Sequence, residues 1–208
     1  MKTDILISNI PTWKLNDMVK KIMAQTGITE PEEAVRMMNS GELEVRVKKW
    51  IIEDGIICFS VKSDGASGNE WITRLNRRDI RLTGKAEKFL LSKRFKATSG
   101  KLSKIIILKN SLFQFYEPDL LQIRQYAETL GFSTPDVETA CLIREKLSSK
   151  DVAEMGCKNI AVMHKPIRVD GEHLIFNICD IDNITLLSAI SEDPNEIWSL
   201  GGGFAFTS

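Results

Sequence analysis

The residues that could carry nucleophilic chemistry are four cysteines and two histidines, spread along a chain of 208 residues. Cys141 falls in a predicted helix, and His164 follows the apolar run at 160–163. A cysteine becomes a nucleophile when a base lies beside it, so this pair would matter only if the fold joined the two residues. The chain has no Gly-x-Ser-x-Gly motif. A hydrolase that uses Cys141 or His164 is therefore the third of three functional hypotheses.

The spacing of these side chains is not typical of a metal site. His164 and His173 are nine residues apart, and no cysteine belongs to a Cys-x-x-Cys pair. Asp180 and Asp182 lack the rest of a calcium loop. Because the cysteines have apolar neighbours, we expect free thiols in a reducing compartment, no metal and no cofactor. The cysteines are Cys58, Cys141, Cys157 and Cys179.

A strongly basic stretch at 74–109 is the most suggestive functional feature. It holds twelve basic residues against two acidic ones, a net charge of +10. Helical spacing predicts an amphipathic helix from Leu82 to Phe95, with an apolar side and a basic side. Such a helix packs on a core and presents positive charge that nucleic-acid phosphates would attract. The candidate contact residues are Arg77, Arg78, Arg81, Lys85 and Lys88.

Charge is segregated along a chain whose net charge is zero. Residues 1–110 hold 21 Lys or Arg against 13 Asp or Glu, whereas residues 111–208 hold 7 against 15. Either the two halves attract each other within the fold, or each half presents its charge to a different partner. We favour the first interpretation, because opposite charges on one chain often neutralise each other locally.

A polar glycine loop at 63–68 offers a second route to anion binding. Glycines let backbone N–H groups approach an anion at the start of a helix. The loop lacks the Lys-Ser/Thr of a P-loop and the spacing of Gly-x-Gly-x-x-Gly. We therefore interpret it as an ordinary turn, with Ser67 or Asn69 as the cap of a helix that contains Trp71.

The elements that position these residues predict an α+β fold. Two N-terminal helices should follow Thr12 and Thr29 and end at Gly27 and Gly41. Alternation of apolar and charged residues at 42–48 predicts a strand. The turn at 53–55 and the apolar run at 56–61 then complete a β-hairpin, and 104–109 should be a central strand.

Two more helices, at 119–130 and 135–147, predict an αα-hairpin. After them, four apolar segments predict an antiparallel β-meander. These segments lie at 159–163, 174–179, 184–190 and 204–207. We expect a helical extension with the first strand at 1–52, a main domain at 53–208, and a candidate sub-boundary near 111–117.

The composition favours a globular protein, because 43% of the residues are hydrophobic. The N-terminal residues match neither a signal peptide nor a membrane span, and no apolar run approaches 18 residues. We therefore expect a cytoplasmic protein with no membrane partner.

Several short segments resemble a family of small uncharacterised bacterial proteins. The similar segments are Ser63-Asp64-Gly65, Glu70-Trp71-Ile72, residues 140–145, residues 161–167 and Gly203-Phe204-Ala205-Phe206. The resemblance covers roughly residues 57–208, and Pro11-Thr12-Trp13-Lys14 is also similar. The C-terminal portion of the family is richer in tryptophan than this chain, where only Trp198 remains. The family has no established activity, so the resemblance implies no catalytic residue and makes a recognised enzyme superfamily less expected.

The first functional hypothesis is a non-enzymatic binding module with an unknown protein partner. Its surfaces would be the loops of the C-terminal sheet and the basic helix. The second hypothesis is a nucleic-acid-binding accessory protein that acts through residues 74–109.

Overall fold

The computed structural model describes residues 12–43, 48–113, 118–192 and 201–208. The chain divides into two units, residues 1–48 and residues 49–208.

The first unit contains two helices in contact with each other, α1 (Thr12–Thr26) and α2 (Pro31–Ser40). Both confirm the predicted helices. α2 ends where Gly41 adopts a left-handed backbone with φ of 79°, a conformation that costs glycine little. The strand predicted at 42–48 falls mostly on residues 44–47, which lie outside the described part of the chain.

A mixed sheet organises the second unit, with eight strands among the described residues. The strands are β1 (Ile51–Glu53), β2 (Ile56–Asp64), β3 (Arg81–Leu82), β4 (Ser99–Lys109), β5 (Asn159–Val169), β6 (Glu172–Ile181), β7 (Ile184–Ser191) and β8 (Gly202–Thr207). Their spatial order is β1-β2-β4-β8-β5-β6-β7-β3. β1 and β2 form an antiparallel hairpin around Asp54 and Gly55, as the turn sequence predicts.

The predicted C-terminal meander is wrong in its last strand. β5, β6 and β7 are antiparallel neighbours. β8 lies between β4 and β5 instead, antiparallel to β4 and parallel to β5. The reason lies in its side chains, because Phe204 and Phe206 fill one face of the sheet while Ala205 fills the other. A strand buried on both faces belongs in the centre of a sheet, and its own sequence does not name its neighbours.

Five α-helices flank the sheet within the described part of residues 49–208. They are α3 (Gly68–Asn76), α4 (Gly84–Leu90), α5 (Leu120–Thr129), α6 (Glu138–Lys146) and α7 (Ser149–Glu154). Successive side chains of the strands point to opposite faces of the sheet, where they contribute to two hydrophobic cores. The front core contains Ile57, Ile105, Ile107, Ile160 and Val162, and the back core contains Cys58, Ile106, Leu108, Ala161 and Met163.

The predicted αα-hairpin is wrong, because its two helices pack on opposite faces of the sheet. α5 places Ile123 and Ala127 in the back core, whereas α6 places Cys141 and Ile143 in the front core. The connection between them is tied to the end of β8, where Ser133 and Thr207 exchange backbone hydrogen bonds of 2.7 and 2.9 Å. Each apolar stripe therefore meets the sheet instead of the other helix.

The predicted basic helix at 82–95 is shorter than its pattern indicates. Arg81 and Leu82 form β3, which pairs in parallel with β7 at the sheet edge. Thr83 is extended and donates its backbone N–H to Leu187 O, while its hydroxyl accepts from the N–H of Ala189. The edge pairing holds this backbone out of the helix, so α4 begins at Gly84 and ends at Leu90.

Gly68 gives a test of the packing between α3 and α4. A Cβ atom at residue 68 would overlap the carbonyl oxygen of Leu90, whereas a Cβ at Gly84 would meet no atom within 4 Å. We expect Gly68→Ala to lower the free energy of unfolding by about 1–3 kcal/mol, because backbone must move. The control Gly84→Ala, also in a first helical position, should be neutral or stabilising. Equal stabilities of the two variants in urea denaturation would contradict the packing described.

Candidate functional site

The five predicted nucleic-acid contacts do not form one free stripe. Lys85 Nζ lies 2.6 Å from Glu172 Oε2, and Lys88 Nζ lies 2.7 Å from Asp170 Oδ2. The hydrogen bond and charge of Lys88 lower the pKa of Asp170. These pairs join the basic half of the chain to its acidic half, as the interpretation of internal attraction expects.

The other three candidates are arginines. Arg77 directly follows α3, and Arg78 and Arg81 lie near the turn that joins β6 to β7. Arg78 donates Nη1 to the carbonyl oxygen of Glu145 at 2.8 Å, and its Nη2 lies 3.4 Å from the Glu145 carboxylate. Arg77 and Arg81 are exposed and form no ion pair within the described residues. Arg77, Arg78 and Arg81 each line concave surface.

His164 lies fully buried in a bulge where β5 and β6 lose register between Val162 and Ile167. Phe176 donates its backbone N–H to His164 Nε2 at 2.9 Å, so the ring proton sits on Nδ1 and is donated to Lys165 O at 2.7 Å. Arg124 satisfies the next bulge carbonyls, Met163 O at 2.6 Å and His164 O at 3.0 Å. Both ring nitrogens therefore serve the backbone.

Cys141 lies on α6 in the front core, and burial raises the pKa of its thiol. Within the described residues, no hydrogen bond joins it to a histidine. A buried thiol with a raised pKa is a poor nucleophile. Cys58, Cys141, Cys157 and Cys179 are all free and buried.

The glycine loop at 63–68 ends in a satisfied helix cap. Glu70 donates its backbone N–H to Ser67 Oγ at 3.4 Å, and the Glu70 carboxylate accepts from Ser67 N and Oγ, both at 2.7 Å. Hydrogen bonds from Ser67 lower the pKa of Glu70. An anion at this helix start would meet an ionised carboxylate, so the phosphate-binding interpretation gains nothing here.

A cavity of about 380 Å³ opens beside the C-terminal end of α6 and the start of α7. Its basic lining residues are Lys49, Arg78, Arg144, Lys146 and Lys150. Glu145 is the one acidic residue among the described lining residues, and its carboxylate already binds Arg74 through contacts of 3.1 and 2.6 Å. The cavity wall therefore carries an excess of positive charge.

Arg144 is the unusual member of this wall, because its side chain is only 1% exposed. Its Nη2 donates to Leu147 O at 2.6 Å, while Nε and Nη1 have no hydrogen-bond partner among the described residues. Burial lowers the pKa of the guanidinium. A buried polar N–H without an acceptor costs about 1–3 kcal/mol, and more on a charged group. The site thus contains donors that the fold does not use.

The carboxylates whose charge acts on Arg144 accept hydrogen bonds from other donors. Asp180 accepts from Ser149 Oγ at 2.6 Å, and Asp151 accepts from Lys49 Nζ at 2.7 Å and from Ser148. Partial burial acts to raise the pKa of Asp151, but the hydrogen bonds from Lys49 and Ser148 together outweigh it, so the pKa is lowered. These acids lower the field at the cavity without occupying the free nitrogens of Arg144.

A second cavity of about 410 Å³ adjoins the first and shares Arg78, Glu145 and Lys146 with it. Its apolar lining is Val61, Leu102 and Leu142. The two cavities together give a surface with a cationic part and an apolar part.

Sequence patterns do not single out Arg144 as a site residue, although they contain one weak signal. It follows Ala140 and Cys141 by four and three residues, so a helix places all three on one stripe. An arginine on the apolar stripe of a helix is either paired in the core or reserved for a ligand.

Comparisons of the chain with protein-family models, curated proteins and solved structures gave no match. The resemblance to a bacterial family therefore stays a prediction. Across the described ranges, no helix is long and apolar enough to cross a membrane, and no three His, Cys, Asp or Glu residues cluster as metal ligands.

His164 should make stability depend on pH. Burial lowers its pKa from 6.5 to about 4. The unfolded chain therefore binds a proton at higher pH than the folded chain. The neutral His164 ring therefore contributes to the free energy of unfolding. This contribution is fully present above pH 6.5, and on the order of 3 kcal/mol of it is lost as the pH falls to about 4.

Urea denaturation between pH 7 and pH 4 measures this loss. His164→Gln should flatten the pH dependence relative to the parent protein, while His173→Gln, at an exposed position, should keep the parent slope. Parallel curves for the parent and His164→Gln would show that the ring is not held neutral.

Proposed function

We propose that the protein is a non-enzymatic binding module that receives an anionic group of its ligand in the cavity beside Arg144. The observation that carries this proposal is that the Arg144 guanidinium is buried with two nitrogens unpartnered among the described residues. These nitrogens are Nε and Nη1, and the residue lines the cavity. Both nitrogens are closed to solvent in the unliganded structure, so the side chain must turn toward the cavity before an oxyanion can supply the missing acceptors.

The charge around the cavity supports an anion over a cation or a neutral ligand. Lys146 forms no ion pair within the described chain, whereas Arg78 binds the carbonyl oxygen of Glu145 and lies 3.4 Å from its carboxylate. Lys49 is paired with Asp151 at 2.7 Å, so its charge is largely balanced within the fold. Phosphate and carboxylate are the groups that guanidinium and ammonium donors recognise in proteins.

A binding role fits these side chains better than catalysis. The residues that sequence analysis offered as nucleophile and base, Cys141 and His164, serve packing and backbone hydrogen bonding. The cavity contributes mainly cations, which hold charge and do not abstract protons.

The second candidate remains a nucleic-acid-binding accessory protein. Exposed Arg77 and Arg81 favour it, since neither has an ion pair within the described residues. The pairing of Lys85 with Glu172 and of Lys88 with Asp170 reduces the positive charge available to phosphates. We rank it second for this reason.

Replacement of Arg144 by Met tests the proposal. Inorganic phosphate, added to the protein in a phosphate-free buffer, should raise the melting temperature of the parent protein saturably. In Arg144→Met the dissociation constant for phosphate should rise at least about tenfold, because charged hydrogen bonds of about 1.5–3 kcal/mol are lost. Isothermal titration calorimetry gives the same comparison directly.

The stability of the unliganded variant separates a ligand anchor from a structural residue. Removal of a partly unpaired buried charge should offset the loss of the bond to Leu147 O, so stability should change by less than about 1 kcal/mol. Arg168→Met, which removes the same charge from an exposed position on β5, is the matched control. Two results would contradict the proposal. One is undiminished phosphate binding by Arg144→Met, and the other is a fall of about 3 kcal/mol in the free energy of unfolding of that variant.

A further inference from the structure

β1 is an edge strand whose outer side is open. It pairs with β2 on one side, and no other described strand neighbours it. Ile51 lies opposite Cys58 of the back core and Ile52 lies opposite Ile57 of the front core, one on each face of the sheet. The two isoleucines are nevertheless 53% and 52% exposed. An apolar edge strand of this kind offers a surface on which a further strand can pair.

The turn that follows β1 decides which backbone groups face outward. The Asp54-Gly55 turn has φ values of 50° and 79°, the two positive angles of a type I′ turn. Such a turn closes with a hydrogen-bonded pair, here Glu53 and Ile56. Because hydrogen-bonded and non-bonded pairs alternate along an antiparallel ladder, the N–H and C=O groups of Ile52 point away from β2, toward the open edge.

The open edge begins beside the Arg144 cavity. Lys49 lines that cavity and lies two residues before the start of β1. A strand that pairs with Ile52 needs three further residues, about 10 Å, to reach the level of Lys49. One extended ligand can therefore pair along the edge and place its end in the cavity.

The charge of the cavity sets the direction of such a strand. A strand antiparallel to β1 ends toward Lys49, so its C-terminal carboxylate is the group that enters the cavity. A parallel strand would instead bring its N-terminal ammonium group to a wall that carries Arg78, Arg144 and Lys146. Guanidinium and ammonium donors bind a carboxylate and repel an ammonium group, so only the antiparallel direction is complementary.

We infer that the ligand is the C-terminus of an extended peptide, which pairs antiparallel with β1 and places its carboxylate at Arg144. This inference rests on the proposed function of the Arg144 cavity and names the partner as the end of a protein chain. Backbone hydrogen bonds at Ile52 and burial of the two exposed isoleucines supply affinity. The carboxylate selects a chain terminus over an internal segment.

Peptide titrations followed by fluorescence anisotropy test the inference. The probe is a hexapeptide of alternating threonine and valine, labelled with fluorescein at its N-terminus, and the comparison is the same peptide amidated at its C-terminus. The free carboxylate should bind at least about tenfold more tightly, because the amide loses charged hydrogen bonds. Arg144→Met should abolish this preference.

Backbone methylation tests the strand pairing without any change to the protein. Two further peptides carry an N-methyl group at the third or at the fourth residue from the C-terminus. One of them should bind at least about fivefold more weakly than the parent peptide, and the other should bind as tightly, because alternate N–H groups face β1.

A protein variant tests the apolar part of the edge. Ile52→Ser should weaken binding of the free peptide by about fivefold and leave the affinity for inorganic phosphate unchanged, because less apolar surface is buried. Leu91→Ser, at a position 57% exposed directly after α4, is the matched control and should change neither affinity.

The outcomes separate the inference from the proposal beneath it. If phosphate binding requires Arg144 but the amidated peptide binds as tightly as the free one, or both methylated peptides bind alike, the inference is wrong and the binding module stands. If the parent protein shows no saturable phosphate binding, or Arg144→Met retains it, both are wrong. A dimer in sedimentation velocity that Ile52→Lys dissociates and excess free peptide leaves intact would assign the edge to a second copy and overturn the inference.

Discussion

The buried carboxylate of Glu138 is the interaction on which the front of the molecule depends. It accepts from Trp71 Nε1 at 3.1 Å and from the backbone N–H and hydroxyl of Thr98 at 2.7 and 2.6 Å. These groups belong to α6, to α3 and to the segment that leads into β4. A carboxyl group in a core is tolerated only when hydrogen-bonding partners surround it, so the three elements must keep their relative positions.

That constraint reaches the candidate site through α6 itself. Glu138 and Arg144 are both 1% exposed on one short helix, yet only the carboxylate has its hydrogen-bonding groups satisfied by the fold. Arg74 holds the far end of the helix through Glu145, with its guanidinium 4.2 Å from the ring centroid of Trp71. Arg144 therefore lies on a helix that is anchored through Glu138 and Glu145, and two of its own nitrogens have no acceptor among the described residues.

The sequence predicts local structure here better than long-range partners. Helices α1 and α2 and the Asp54-Gly55 turn follow from caps, glycines and spacing, because these signals act over a few residues. The place of β8 and the separation of α5 from α6 depend on which face of the sheet each apolar stripe meets, and periodicity does not encode that choice. The basic stretch was recognised by composition, but the partners of Lys85 and Lys88 lie 87 and 82 residues away. Arg144 was missed because one charge on an apolar stripe is weak evidence until its hydrogen bonds are known.

The most direct test of the account is the NMR signal of the Arg144 Nε–H group during a titration with inorganic phosphate, assigned with Arg144→Met. We predict that this signal shifts and saturates with the same dissociation constant as calorimetry, because an acceptor reaches the unpartnered nitrogen. The Nε–H signal of Arg74, already bonded to Glu145, should stay in place. Saturable binding that moves the signals of Arg77 or Arg81 and leaves the Arg144 signal unchanged would contradict the account.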